Sequence, residues 1–237
     1  MAESSSYPSG EISQSPVITV VAIEDGLDEP KSFYIHQSLL RNKSRYFSKA
    51  LDSCQNATPE SHVITTTFAD WQFQYFVNWL YYGESRDSSN VVCWEFCGLW
   101  GLATELEAPL FQNAIVDWCQ GLKFDKCFIH MFYDFDDGNH DRTKLATYIR
   151  NKVGYEIVAH GWTRFIETAE SLWEDITRTS FLHPGLPLLL RLMAEVDIAT
   201  ELLKTVKLSD PAETKDCSFH THTDEDKKQC PRYKSSE

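Results

Sequence analysis

The hydrophobic pattern of this chain changes period at residue 36 and returns to its first form only once. Residues 17–23 read VITVVAI and residues 32–35 read SFYI, two β-branched or aromatic runs separated by the turn-forming EDGLDEPK, and are expected to pair as a hairpin. From His36 onward Leu39, Leu40, Tyr46, Phe47, Ala50 and Leu51 recur at helical spacing. They imply one helix whose inner face is formed by Leu39, Leu40, Tyr46 and Phe47. Only HVITTTF, at 62–68, restores strand character. So few strands cannot enclose a core by themselves and need helices packed on one face. The expected class is α+β: a small β-sheet capped by a cluster of short helices.

The helices that would supply that cap follow closely. Asp70 is placed to cap a helix whose apolar members are Phe73, Phe76, Val77, Leu80 and Tyr81, closed by Gly83. VVCWEFCGLWGLATEL, 91–106, is apolar around most of its circumference and so must be enclosed by other elements. Pro109 opens the next helix, PLFQNAIVDWCQGL, at a position where a first turn tolerates it. After Lys123 strand character disappears, and FDKCFIHMFYDF, DRTKLATYIRNKVGYEIVAHG, WTRFIETAESLWEDITR and PLLLRLMAEVDIATELLKTV all have helical spacing. The expected organisation is a Ser-rich leader over 1–15, an α+β domain over 16–123, an all-helical carboxyl-terminal extension over 124–209 and a polar tail over 210–237.

Charge and cysteine usage narrow the function classes. Twenty-two basic residues against 35 acidic ones give a formal charge of -13, and no stripe of Lys or Arg interrupts that field, so direct nucleic-acid binding is not expected. Seven cysteines, with no basic start followed by an apolar export signal, fit a reducing intracellular compartment, nucleus or cytoplasm. On the same ground the glycosylation-like Asn42-Lys-Ser44 and Asn56-Ala-Thr58 are chance matches. No apolar run approaches the length that crosses a bilayer, so no membrane partner is expected.

Most clusters of chemical groups have a plain structural explanation. Cys93, Cys97 and Cys119 lie among apolar neighbours and read as small core side chains. The acidic stretch Asp134, Asp136, Asp137, Asn139 and Asp141 has Asn139, one past Gly138, where a calcium loop needs its glycine and Leu145 where it needs its closing glutamate. Glu167, Glu170, Glu174 and Asp175 lack the Glu-x-x-His partners of a di-metal bundle and read as the wet side of a helix. Trp79, Tyr81 and Tyr82 form an aromatic knot suited to packing. The exception is Cys217-x2-His220-x-His222-x7-Cys230 in the tail. Two thiols and two imidazoles are what zinc prefers, and a fully ligated site has no open position for water, so its role would be structural. On an extended segment His220 and His222 would project to the same side.

Residues 17–122 resemble the BTB (POZ) domain, especially as it occurs in filamentous fungi. The resemblance rests on FYIHQSLLRNKSRYFSKAL, on WLYYG at 79–83 and on LWGLATELEAPLFQNAIVDW at 99–118, in that order and spacing. It implies the BTB/POZ fold and protein binding without catalysis. In that family the first helix and amino-terminal strand mediate self-association, and some members dock a cullin ubiquitin-ligase scaffold as substrate adaptors. His36, Leu39, Leu40, Tyr46, Phe47, Trp79, Leu80, Tyr81 and Gly83 would then be fold-signature and candidate interface residues, His36 bonding a backbone group of the first helical turn. The acidic residue that often opens the first strand in animal relatives is replaced here by Pro16-Val17-Ile18, and neither a kelch-like repeat nor a zinc-finger array follows. The helices after 124 and the Cys/His tail loosely resemble the family's fungal extensions. A transcriptional regulator that recruits corepressors, and an enzyme of unrecognised type, are the competing expectations. No phosphate-cradling loop, nucleophile elbow or metalloprotease helix supports the latter.

Overall fold

A computed structural model describes residues 14–23, 30–53, 63–83, 93–125, 128–129, 131–132, 143–168, 196, 200, 209–222, 230 and 232 of the chain. Most of the expected leader, the Asp134–Asp141 stretch, Glu170, Glu174, Asp175 and most of the helices expected over 169–206 lie outside them. The chain forms two compact units, Met1–Arg86 with Gly101–Phe111, and Asp87–Trp100 with Gln112–Glu237.

The first unit contains a mixed three-stranded sheet. Strand β1 (Val17–Ala22) is central, β2 (Lys31–His36) runs antiparallel on one side and β3 (Val63–Thr66) parallel on the other. The expected hairpin pairing is present, with Ile18 opposite Ile35 and Val20 opposite Phe33. Alternation sorts the faces: Ile18, Val20, Ala22, Phe33, Ile35 and Ile64 are buried, whereas Val17, Tyr34 and Val63 face outward. A parallel neighbour requires a crossover. Here the chain between β1 and β3 includes β2 and two helices.

Those helices correct the expectation of a single one. Helix α1 (Gln37–Lys43) ends at Ser44, which is extended (φ -140°, ψ 122°), and α2 (Arg45–Ser53) begins after it. The cause is a buried hydroxyl. Ser44 Oγ donates to the Leu106 carbonyl at 2.7 Å and accepts the N–H of Phe47 at 3.2 Å, the third residue of α2, which is the N-cap arrangement. The amides of Arg45 and Tyr46 donate to the carbonyls of Glu107 and Leu106, so the turn at 106–107 takes up the first free N–H groups of α2. Helix α3 (Asp70–Tyr82) starts one residue earlier in the cap than expected: Ala69 is the N-cap, while Asp70 is its first residue and pairs with Lys31 at 3.3 Å. A carboxylate in a first turn still favours the helix dipole. Gly83 closes α3 at φ +70°, a conformation glycine adopts without penalty. Phe47, Phe73, Phe76 and Phe111 form the buried aromatic centre, with Phe76 and Phe111 rings 5.2 Å apart, edge to face.

Helices α4 (Cys93–Glu105) and α5 (Pro109–Gln120) are each divided between the two units, and α6 (Lys144–His160) belongs to the second. The side chain of Thr143 accepts the Ala146 amide and starts α6; Gly161, at φ +85°, ends it. Leu145, Ile149, Val153 and Ile157 give α6 its buried face at helical spacing. Residues 162–168 are helical again, with Glu167 exposed, and a short 3-10 turn covers Pro211–Glu213.

Candidate metal centre

The residues singled out in the first unit are mostly occupied by its own core. Leu39, Leu40, Phe47, Trp79 and Leu80 are buried, Tyr46 and Tyr81 are partly buried, and Tyr82 is exposed. His36 departs from expectation. It stands at the N-cap position of α1, but its ring does not bond the first turn. Those amides are already taken: Gln37 donates to the Pro16 carbonyl at 2.8 Å and Ser38 to Ser15 Oγ at 2.9 Å. The partner of His36 is Tyr81. The Tyr81 hydroxyl accepts the backbone N–H of His36 at 3.2 Å and lies 2.9 Å from its Nδ1. One hydroxyl thus joins the end of β2 to the last turn of α3, which ties FYIH to WLYYG.

In the second unit Cys119 is fully buried, and burial together with the neighbouring Cys97 pushes its thiol well above the ordinary range. It is a core cysteine and belongs to no ligand cluster found among the described residues.

The tail behaves differently. Cys217, His220, His222 and Cys230 place one ligating atom each within 4.8 Å of all the others. The Cys217 and Cys230 sulfurs are 3.5 Å apart, too far for a disulfide, and both residues are free thiols. Two thiolates on one tetrahedral zinc ion would stand about 3.8 Å apart, so the spacing suits a shared ion. His220 Nδ1 is 3.1 Å from Cys230 Sγ, and both ring nitrogens of His222 are shielded from solvent. Without an ion the Cys217 thiol is pushed up to about 11, first by burial and then by Cys230. A cation bound there reverses that preference and holds the thiolate. The donor set, its burial and its closeness fit a structural metal ion, with zinc favoured by two sulfurs and two imidazole nitrogens.

Helix α5 supplies what surrounds the cluster. The Asn113 side chain accepts the Thr221 amide at 2.7 Å and donates to the Thr221 carbonyl at 2.9 Å. Asp117, one turn later, lies 2.9 Å from His220 Nε2 and 2.7 Å from the Arg232 guanidinium. Gln120 donates to the Pro211 carbonyl at 3.4 Å and accepts from Arg232. A carboxylate only accepts, so the His220 proton sits on Nε2, and the Nδ1 lone pair is turned into the cluster.

Elsewhere the tail is tied to α6. Lys144 donates to the Ser218 carbonyl at 3.0 Å, the Phe219 ring meets Tyr148 edge to face at 5.3 Å, and Lys152 bridges Asp210 at 2.6 Å and Glu156 at 2.9 Å. Burial alone would lower the Lys152 pKa, but the hydrogen bonds to Asp210 and Glu156 more than offset it and the value is raised.

Reading the sequence for chemistry located the four ligands and missed Asn113, Asp117 and Gln120. Their signal was present: three polar residues at positions i, i+4 and i+7 of a helix that is otherwise apolar on that side.

Among the described residues no helix is long and apolar enough to cross a membrane. No protein-family model matches the chain, and no curated protein matches it.

Proposed function

We propose that this chain is a non-enzymatic protein-interaction module of the BTB/POZ type, acting inside the cell, with a metal-stapled helical extension. The observation that carries the reading is the joining of β2 to α3 through His36 and Tyr81, beside a sheet in which β1 has an antiparallel neighbour from the hairpin and a parallel one after the first helices. His36 and Tyr81 belong to two of the three segments on which the family resemblance rests. Supporting it, the outward sheet face carries an apolar row. Tyr34 (72% exposed) and Val63 (52%) flank Thr19 of the central strand, with Val17 (54%) at its end. A second copy of the chain is the occupant proposed for that row, since contiguous exposed apolar surface marks sites of protein association. A cullin scaffold is the further partner implied by the family reading. The charge of -13 disfavours a nucleic-acid backbone.

Light scattering tests this directly. The protein is expected at twice its 27.3 kDa chain mass, and Tyr34→Glu is expected to return it to the monomer without loss of helical signal. A monomeric mass at every concentration, together with failure to retain a purified cullin amino-terminal domain, would overturn the proposal.

A further inference from the structure

We propose that helix α5 is the template on which the metal centre is assembled, with Asn113 and Asp117 as its positioning residues. The inference rests on reading the Cys217, His220, His222 and Cys230 cluster as a metal site. All four ligands belong to one short stretch of tail. Left to itself, an extended His-Thr-His segment has many rotamers and no reason to present both rings to one point.

Two contacts on α5 remove that freedom. Thr221 lies between the two histidine ligands, and the Asn113 amide grips its backbone from both sides, donating to the carbonyl and accepting the N–H. That fixes the peptide from which both rings project. Asp117 then holds His220 by Nε2, which fixes both its tautomer and its ring plane and leaves Nδ1 toward Cys230. The same carboxylate binds Arg232, two residues beyond the last ligand, so it holds the tail at one ligand and again just past Cys230. Asn113 is 5% exposed, and a buried side-chain amide on an apolar helix is costly unless its bonds are made. Here the tail makes them.

The consequence is a reciprocal linkage. Metal binding tightens the docking of the tail on α5, and weakening the α5 contacts weakens metal binding, even at Asn113, which touches no ligand atom. The effect of such outer contacts on affinity is typically 10–100-fold.

The test uses the full chain and cobalt(II), with zinc(II) as competitor. Wild type is expected to give the visible bands and the thiolate-to-cobalt charge transfer of a two-sulfur, two-nitrogen site. Asn113→Ala and Asp117→Ala are expected to keep the shape of those bands and bind about tenfold or more weakly, while Asp117→Asn, which retains an acceptor oxygen, recovers most of the loss. The rise in melting temperature on adding metal is measured alongside. A merely structural role would lower the apo and loaded melting temperatures equally; a positioning role shrinks the difference between them. Binding within twofold of wild type with an unchanged metal-induced rise in both alanine variants would overturn the template. Absence of the thiolate band in wild type would instead overturn the metal reading beneath it.

Discussion

Tyr81 does with one oxygen what the first helical turn was expected to do for His36. Its hydroxyl accepts a backbone N–H at a strand end and contacts an imidazole nitrogen in the same step. Tyr81→Phe keeps the ring but leaves that partly buried N–H without its acceptor, so the expected cost is about 1–2 kcal/mol, read by denaturant unfolding. No change in the midpoint would mean that water replaces the hydroxyl freely. Tyr148 is the opposite case. It is fully buried, its hydroxyl has no hydrogen-bond partner among the described residues, and burial, followed by the charges of Cys119 and Asp210, pushes its pKa far above the usual tyrosine value. A buried hydroxyl without a partner is a liability, so Tyr148→Phe is expected to be neutral or stabilising. A clear fall in melting temperature would reveal a partner for that hydroxyl.

Among the elements, the most informative is the break between α1 and α2. Hydrophobic spacing runs through residue 44 without interruption because Leu40 and Phe47 both point inward, and periodicity records which side chains are buried rather than whether the backbone between them is helical. What breaks the helix is the carbonyl of Leu106, 62 positions away, which accepts the hydrogen bond of the Ser44 hydroxyl. Ser44→Ala removes that bond and the cap on α2 together. It is expected to cost about 1–3 kcal/mol, measured by thermal or denaturant unfolding, and an effect below about 0.5 kcal/mol would show that the cap is dispensable. Helix α5 teaches the complementary lesson. Its apolar positions and Pro109 made its existence and start legible, whereas its polar residues at 113, 117 and 120 gain meaning only when the tail lies against them. Periodicity reports the face turned inward; it carries no information about which distant segment covers a polar stripe.

For the molecule as a whole, an ion held by Cys217, His220, His222 and Cys230 would add its binding free energy to the folded state. Its ligands must be a neutral imidazole pair and two thiolates, and without the ion the Cys217 thiol is held up at about 11. Metal binding near pH 7 is therefore expected to release about two protons, measurable by calorimetry in buffers of different ionisation enthalpy. Affinity rises with pH as protons leave the ligands and falls as acid protonates thiolates and histidines. A chelator should accordingly lower the melting temperature at pH 7 and have little further effect at pH 5. A melting temperature indifferent to chelator at both would remove the ion from the account. Legible along the chain were the local matters: two strands that pair antiparallel, the starts and stops of helices at Pro109, Gly83 and Gly161, the inward faces, and four candidate ligands of two types at closable spacing. These follow from steric and solvation preferences within a few residues, which a linear pattern records. Only in the folded chain does it emerge that β3 lies parallel beside β1, that Ser44 divides a helix, that Tyr81 rather than the first turn holds His36, and that α5 holds His220 and the Thr221 backbone. Each of these is a hydrogen bond or a register between segments distant along the chain. Which buried donor meets which acceptor is fixed only when the whole core closes.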